Sequence, residues 1–180
     1  MIVVNLYGGP SAGKSTTRAD VFQRLKKARV NCEEVHEFAK KLTWQKRNMS
    51  LACQPYLFGK QLHETVTLEG QVDVVITDSP LLLCNIYARK GPNTYPESFF
   101  QSMIDISAGM DTMDYYLDRA FDFDPNGRGQ DASQADDISS EILTLLDTCG
   151  ISYTRLDGNE FAGQKIVNDI LARLNVQPRS

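Results

Sequence analysis

The chain has 180 residues, 42% hydrophobic and 23% charged, a balance that fits one compact domain and excludes disordered, collagen-like and coiled-coil architectures. With 19 Lys+Arg against 23 Asp+Glu the net charge is -4, which excludes a broad basic surface for non-specific nucleic-acid binding but leaves room for a local basic groove. Cys32, Cys53, Cys84 and Cys149 lie far apart with no C-x-x-C pair, so reduced thiols are expected rather than a zinc or redox centre. The N-terminal stretch lacks the pattern of a secretory signal and no segment reaches transmembrane length, so a soluble cytoplasmic protein is expected, without a membrane partner.

In chain order, short apolar runs alternate with longer amphipathic stretches. Strands are predicted over Ile2 to Tyr7, Asn31 to His36, Val72 to Thr77, Met113 to Leu117 and Ile151 to Leu156. Helices are predicted over Ser15 to Arg29, Glu37 to Arg47, Ser50 to Gly70, Pro96 to Ala108 and Ser133 to Cys149, the last stopped by Gly150. This alternation predicts an α/β fold, a five-stranded parallel sheet sandwiched by helices, with residues 1–180 forming a single domain. Phe121 to Asp136 is rich in Asp, Gly and Gln and reads as a surface excursion.

The segment Gly8-Gly9-Pro10-Ser11-Ala12-Gly13-Lys14-Ser15 fits G-x-x-x-x-G-K-[ST] and stands between a buried-looking strand and an amphipathic helix. That context makes it a P-loop, whose backbone N–H groups and helix N-terminus hold the phosphates of ATP. Lys14 is then the residue that reaches the β- and γ-phosphates, Ser15 a ligand of Mg²⁺, and Thr16 a contact to the α-phosphate. Asp78 leaves the carboxyl end of an apolar strand in Asp78-Ser79-Pro80 and is the expected second acidic element, holding Mg²⁺ beside Ser15. An aspartate before Ser-Pro also suits a helix start.

A chain this short cannot hold a full AAA+ module with its helical lid domain, and no guanine-reading N/T-K-x-D follows the later strands. A kinase is favoured by Arg119 and Arg128, which flank a polar loop after the fourth strand and together predict a lid over roughly 119–133 that excludes water and adds positive charge during phosphoryl transfer, although either arginine alone is better explained by a solvated loop in which it pairs with Asp122, Asp124 or Asp131. Glu37, at the carboxyl end of the second strand, is the candidate general base, with Glu34 as its alternative and His36 expected to be packed. Glu37 suits a helix start as well. Trp44, Gln54, Tyr56, Phe58 and Gln61 combine aromatic faces with amides and point to a nucleobase pocket, although helix packing accounts equally for Tyr56 and Phe58. If the acceptor is DNA, its phosphates would meet Lys40, Lys41, Lys46 and Arg47, predicted on the helix after Glu37.

Gly8 to Thr16, Glu37-Phe38-Ala39-Lys40, Ile76 to Leu81, Tyr95 to Phe99 and Asn126 to Gln130 together resemble the small P-loop kinases of tailed bacteriophages, often labelled only as AAA-type ATPases. Within that group the resemblance reaches the 5-hydroxymethyluridine DNA kinases, relatives of thymidylate kinase. It implies ATP-dependent phosphorylation of the 5-hydroxymethyl group of 5-hydroxymethyluracil in phage DNA, inside the infected host. Lys14, Ser15, Asp78, Arg119 and Arg128 stand at matching motif positions, with Glu37 less firmly placed. Two other functions remain open: a deoxynucleoside or nucleoside monophosphate kinase acting on a free pyrimidine nucleotide, and an ATP-binding switch or ATPase subunit.

Overall fold

A computed structural model describes residues 1–121 and 132–176. The elements are β1 Ile2–Tyr7, α1 Lys14–Lys27, β2 Cys32–Val35, α2 Phe38–Trp44, α3 Asn48–Ala52, α4 Gln54–Val66, β3 Val74–Thr77, α5 Leu83–Lys90, α6 Glu97–Ala108, β4 Thr112–Asp118, α7 Ala132–Thr148, β5 Thr154–Asp157 and α8 Ala162–Arg173. The five strands form one sheet, all parallel, in the order β2-β3-β1-β4-β5. Both β1 and β3 are buried along their whole length, because helices cover both faces of the sheet.

Alternation along β1 divides the core. Ile2, Val4 and Leu6 pack with Val21 and Leu25 of α1 and with Ile166, Val167 and Ile170 of α8. Tyr7 faces the other way with Tyr116, against Leu83 and Ile86 of α5 and Ile138, Ile142 and Leu146 of α7. A satellite cluster of Phe58, Leu81, Ala88, Phe100 and Met103 ties α4, α5 and α6 together. On the same face as Tyr7 runs a polar seam, where Asn5 and Thr112 donate to the Asp114 carboxylate at 2.8 and 2.5 Å. Burial nevertheless raises the Asp114 carboxyl above its ordinary value.

Three predicted elements differ in ways that matter to the site. The helix expected over Ser50 to Gly70 starts earlier and is broken at Cys53 (φ −88°, ψ 87°). Pro55 has no N–H to continue an earlier helix and is accommodated only in a first turn, so α4 restarts there. The helix expected to reach Arg47 ends at Trp44, where Lys46 (φ 55°) turns the chain and Arg47 N–H donates to the Leu42 carbonyl at 3.0 Å, a Schellman-type stop without glycine. Lys46 and Arg47 therefore sit in the loop beyond the helix. The last strand pairs with β4 only from Thr154, and Tyr153 just before it packs against the Tyr116 ring, centroids 6.2 Å apart. Helices α5 and α8 were not singled out in the sequence.

Candidate nucleotide and acceptor cleft

The loop after β1 takes its shape from backbone conformations that glycine tolerates. Gly13 (φ 81°) is the N-cap of α1, and a Cβ there would lie 2.9 Å from the Gly158 carbonyl oxygen, so the loop is wedged against the turn after β5. At Gly9 a Cβ would fall 2.0 Å from Ser139 Oγ, because α7 packs directly on the loop. The first turn of α1 carries no acidic side chain, so the positive end of its dipole meets no competing carboxylate. Lys14 Nζ donates to the carbonyls of Gly8 and Gly9 at 2.6 and 2.8 Å, which holds the ammonium across the loop mouth. Backbone N–H groups, a helix N-terminus and one ammonium form a donor set suited to a polyphosphate.

Strand register brings the acidic residues to this loop. Thr77 pairs with Asn5 on one side and with Val35 on the other, so Asp78 and Glu37 emerge at the same sheet edge as Gly8. Asp78 is buried, while Glu37 is exposed at the N-cap of α2 without making a side-chain capping bond. Its place at the start of α2 still suits a carboxylate that complements the helix dipole. Between these acids stands Arg18, which the sequence reading passed over. Its Nη1 donates to Asp78 Oδ1 at 3.2 Å and contacts His36 Nδ1, and its Nε lies 2.9 Å from Glu34 Oε1. That last contact is an ion pair in which the N–H does not point along the line to the oxygen. The signal for Arg18 was its spacing, four residues after Lys14 and therefore on the same helix face. Glu34 is committed to Arg18, and His36 is exposed against Arg18 rather than packed in the core, because β2 ends at Val35.

A cleft of about 370 Å³ runs from Pro10–Thr16 past Asp78 and Glu37 to a wall formed by Phe38, Gln54, Leu57, Gln61 and Tyr87. Lys14, Ser15, Glu37 and Asp78 share this one cavity, with Lys40 at its border. Of the residues expected to form a base pocket, Gln54 and Gln61 line it, whereas Phe58 is buried in the satellite cluster and Trp44 is 69% exposed. Tyr56 packs edge-on against Phe38 at 5.6 Å, so Phe38 and Tyr87 supply the aromatic lining. Cys84 also borders the cleft, but burial pushes its thiol up to about 12, so it stays protonated and non-nucleophilic.

Arg119 lies just past the end of β4, beside the loop, since Tyr116 pairs with Tyr7. It is outside the cleft lining and its Nη2 donates to Asp136 Oδ1 of α7 at 2.6 Å. Arg128 and most of the expected lid lie outside the described residues. No group of three or more His, Cys, Asp or Glu among the described residues is arranged to hold a metal. The Ser15 hydroxyl and Asp78 carboxylate suit Mg²⁺ nonetheless, because that ion keeps several waters and takes phosphate oxygens alongside one or two protein ligands. No helix among the described residues is long and apolar enough to cross a membrane.

No curated protein matches the chain. Residues 3–162 match the family described as AAA domain, a span that includes the whole cleft and all of the described sheet but Ile2, and the chain belongs to that family of P-loop, nucleotide-binding domains.

Proposed function

We propose that the protein is an ATP-dependent kinase that transfers the γ-phosphoryl group to the hydroxymethyl arm of 5-hydroxymethyluracil carried in DNA. The observation that supports a kinase is the continuity of the cleft: the phosphate loop opens into an aromatic and amide-lined chamber beside Glu37. In this reading residues 1–180 are one kinase domain, Lys14 and the loop N–H groups hold the β- and γ-phosphates, and Arg119 and Arg128 are the arginines assigned to the charge that develops on the transferring group. Ser15 and Asp78 hold Mg²⁺, which when bound withdraws charge from the phosphate oxygens. Glu37 accepts the hydroxyl proton as the acceptor oxygen bonds to phosphorus and the bond between the β- and γ-phosphates breaks, releasing ADP.

A polymeric acceptor is supported by charge placement. Although the net charge is -4, Lys40 lines the cleft, and Lys41, Lys46 and Arg47 follow it within seven residues, with Trp44 69% exposed among them. Such a patch holds backbone phosphates and offers a stacking face while a base is turned out of the helix into the chamber. The test is incubation with labelled ATP and a panel of 5-hydroxymethyluracil DNA, thymine DNA and free pyrimidine nucleotides, followed by nucleoside mass analysis. Label in 5-hydroxymethyluracil DNA alone is expected. Label in free nucleotides with DNA ignored selects a nucleoside or nucleotide kinase, and ATP turnover without any labelled acceptor selects a switch or ATPase.

A further inference from the structure

Asp78 is buried at the carboxyl end of β3, and α5 does not start until Leu83, so its carboxylate is not the cap of that helix. The Ser79 N–H just after it is taken by Thr77 Oγ1 at 3.1 Å. Among the described residues the one donor to Asp78 is Arg18 Nη1, which reaches Oδ1 at 3.2 Å. The second oxygen, Oδ2, has no bond among those residues and is not sealed from solvent, and Asp78 lines the cleft. Arg18 is not part of that lining, so it grips the carboxylate from outside the cavity.

The guanidinium is itself fixed. Its Nη1 carries two hydrogens, one for Asp78 Oδ1 and one for His36 Nδ1, which must accept because arginine has no acceptor to offer. Its Nε end is paired with Glu34 of β2 at 2.9 Å. Arg18 also stands three residues after Ser15, on the same side of α1. A single side chain therefore ties the helix that carries one proposed Mg²⁺ ligand to the other ligand.

We infer that Arg18 is a positioning residue that sets Asp78 against Ser15 for Mg²⁺, with Glu34 balancing its charge. This rests on the proposed assignment of Ser15 and Asp78 to Mg²⁺ and is independent of the acceptor. Two effects oppose one another. A cation beside a metal ligand weakens the site by repulsion, whereas a carboxylate held in one orientation strengthens it by preorganisation. Two carboxylates against one guanidinium leave the cluster net negative, which offsets the repulsion, and groups that orient metal ligands are worth about 10–100-fold in metal affinity. Orientation is the larger effect.

The test uses the full chain with Mn²⁺ as the probe and a non-hydrolysable ATP analogue, free Mn²⁺ being read from its electron paramagnetic resonance signal. Arg18→Met is expected to weaken Mn²⁺ binding to the analogue complex by about tenfold or more, while affinity for the metal-free analogue stays near wild type. Arg18→Met combined with Glu34→Gln should recover part of the melting temperature without recovering Mn²⁺ affinity, which separates positioning from a purely structural role, and it carries the same measurement where the single variant does not fold. Unchanged or tighter Mn²⁺ binding without Arg18, or Mn²⁺ affinity that returns together with stability in the double variant, overturns the inference. Asp78→Asn is measured beside them. If it leaves Mn²⁺ affinity unchanged, the assignment of Asp78 to the metal fails and the inference with it, whereas a loss confined to Asp78→Asn keeps that assignment and removes the role of Arg18 alone.

Discussion

The two ends of the cleft are built differently. The phosphate end is one continuous segment, Gly8 to Thr16, in which the chain turns between adjacent elements and the chemistry resides in backbone N–H groups and one lysine. The proposed acceptor end is assembled from Glu37 and Phe38, from α4 and from Tyr87 of α5, segments that meet only because β2, β3 and β1 pair in that order. A local segment carries a sequence signature, whereas an assembled wall does not. Arg18 joins the two, rooted in α1 and bonded to the ends of β2 and β3.

The sharpest way to separate the ends is Lys14→Ala, expected to lower phosphoryl transfer by about 10²–10³ or more while melting temperature stays within a few degrees. Near-normal turnover would break the assignment of the phosphate end. At the acceptor end, Glu37→Gln should lower kcat by about 10²-fold with ATP affinity unaltered, as expected for loss of a general base. If KM for ATP rises instead and kcat holds, Glu37 belongs to the phosphate end.

The joint is tested by stability. Arg18→Met strands the largely buried carboxylates of Asp78 and Glu34 beside one another and should cost about 3 kcal/mol in urea unfolding. Adding Glu34→Gln is expected to recover part of that loss, and a single variant as stable as wild type would show that the network contributes no coupling. For the basic residues after α2, Lys46→Ala combined with Arg47→Ala should flatten the salt dependence of activity on DNA by about one unit of log–log slope per residue. An unchanged slope would place the DNA backbone elsewhere.

The smallest effect concerns the seam beneath the cleft. Because the folded-state carboxyl of Asp114 is raised, its contribution is fully present below the unfolded value and is lost as pH rises through the folded one. Asp114→Asn removes that dependence, so the variant should gain melting temperature relative to wild type as pH rises through the carboxylate range. A difference that is flat with pH would mean that Asp114 is not buried in its neutral form.

The fold and the phosphate loop were legible because they rest on local order. Alternating apolar runs mark strands, G-x-x-x-x-G-K-S between strand and helix marks the loop, and an aspartate after an apolar strand marks the sheet edge. What residue order could not display was side-chain company. Trp44 and Phe58 matched a base pocket by type, yet one is at the surface and the other faces α5 and α6, since a helix distributes its residues around an axis whose rotation is set by packing. The break at Pro55 and the left-handed Lys46 were local signals of a weaker kind; the first split α3 from α4 and the second put Lys46 and Arg47 off the helix. Arg18 held a visible spacing and no visible partner. Its bonds to Glu34 and Asp78, and the bond from the Phe38 N–H to the Gln61 side chain, join residues 16, 60 and 23 positions apart in the chain, and only strand pairing and helix packing bring such groups within hydrogen-bond range.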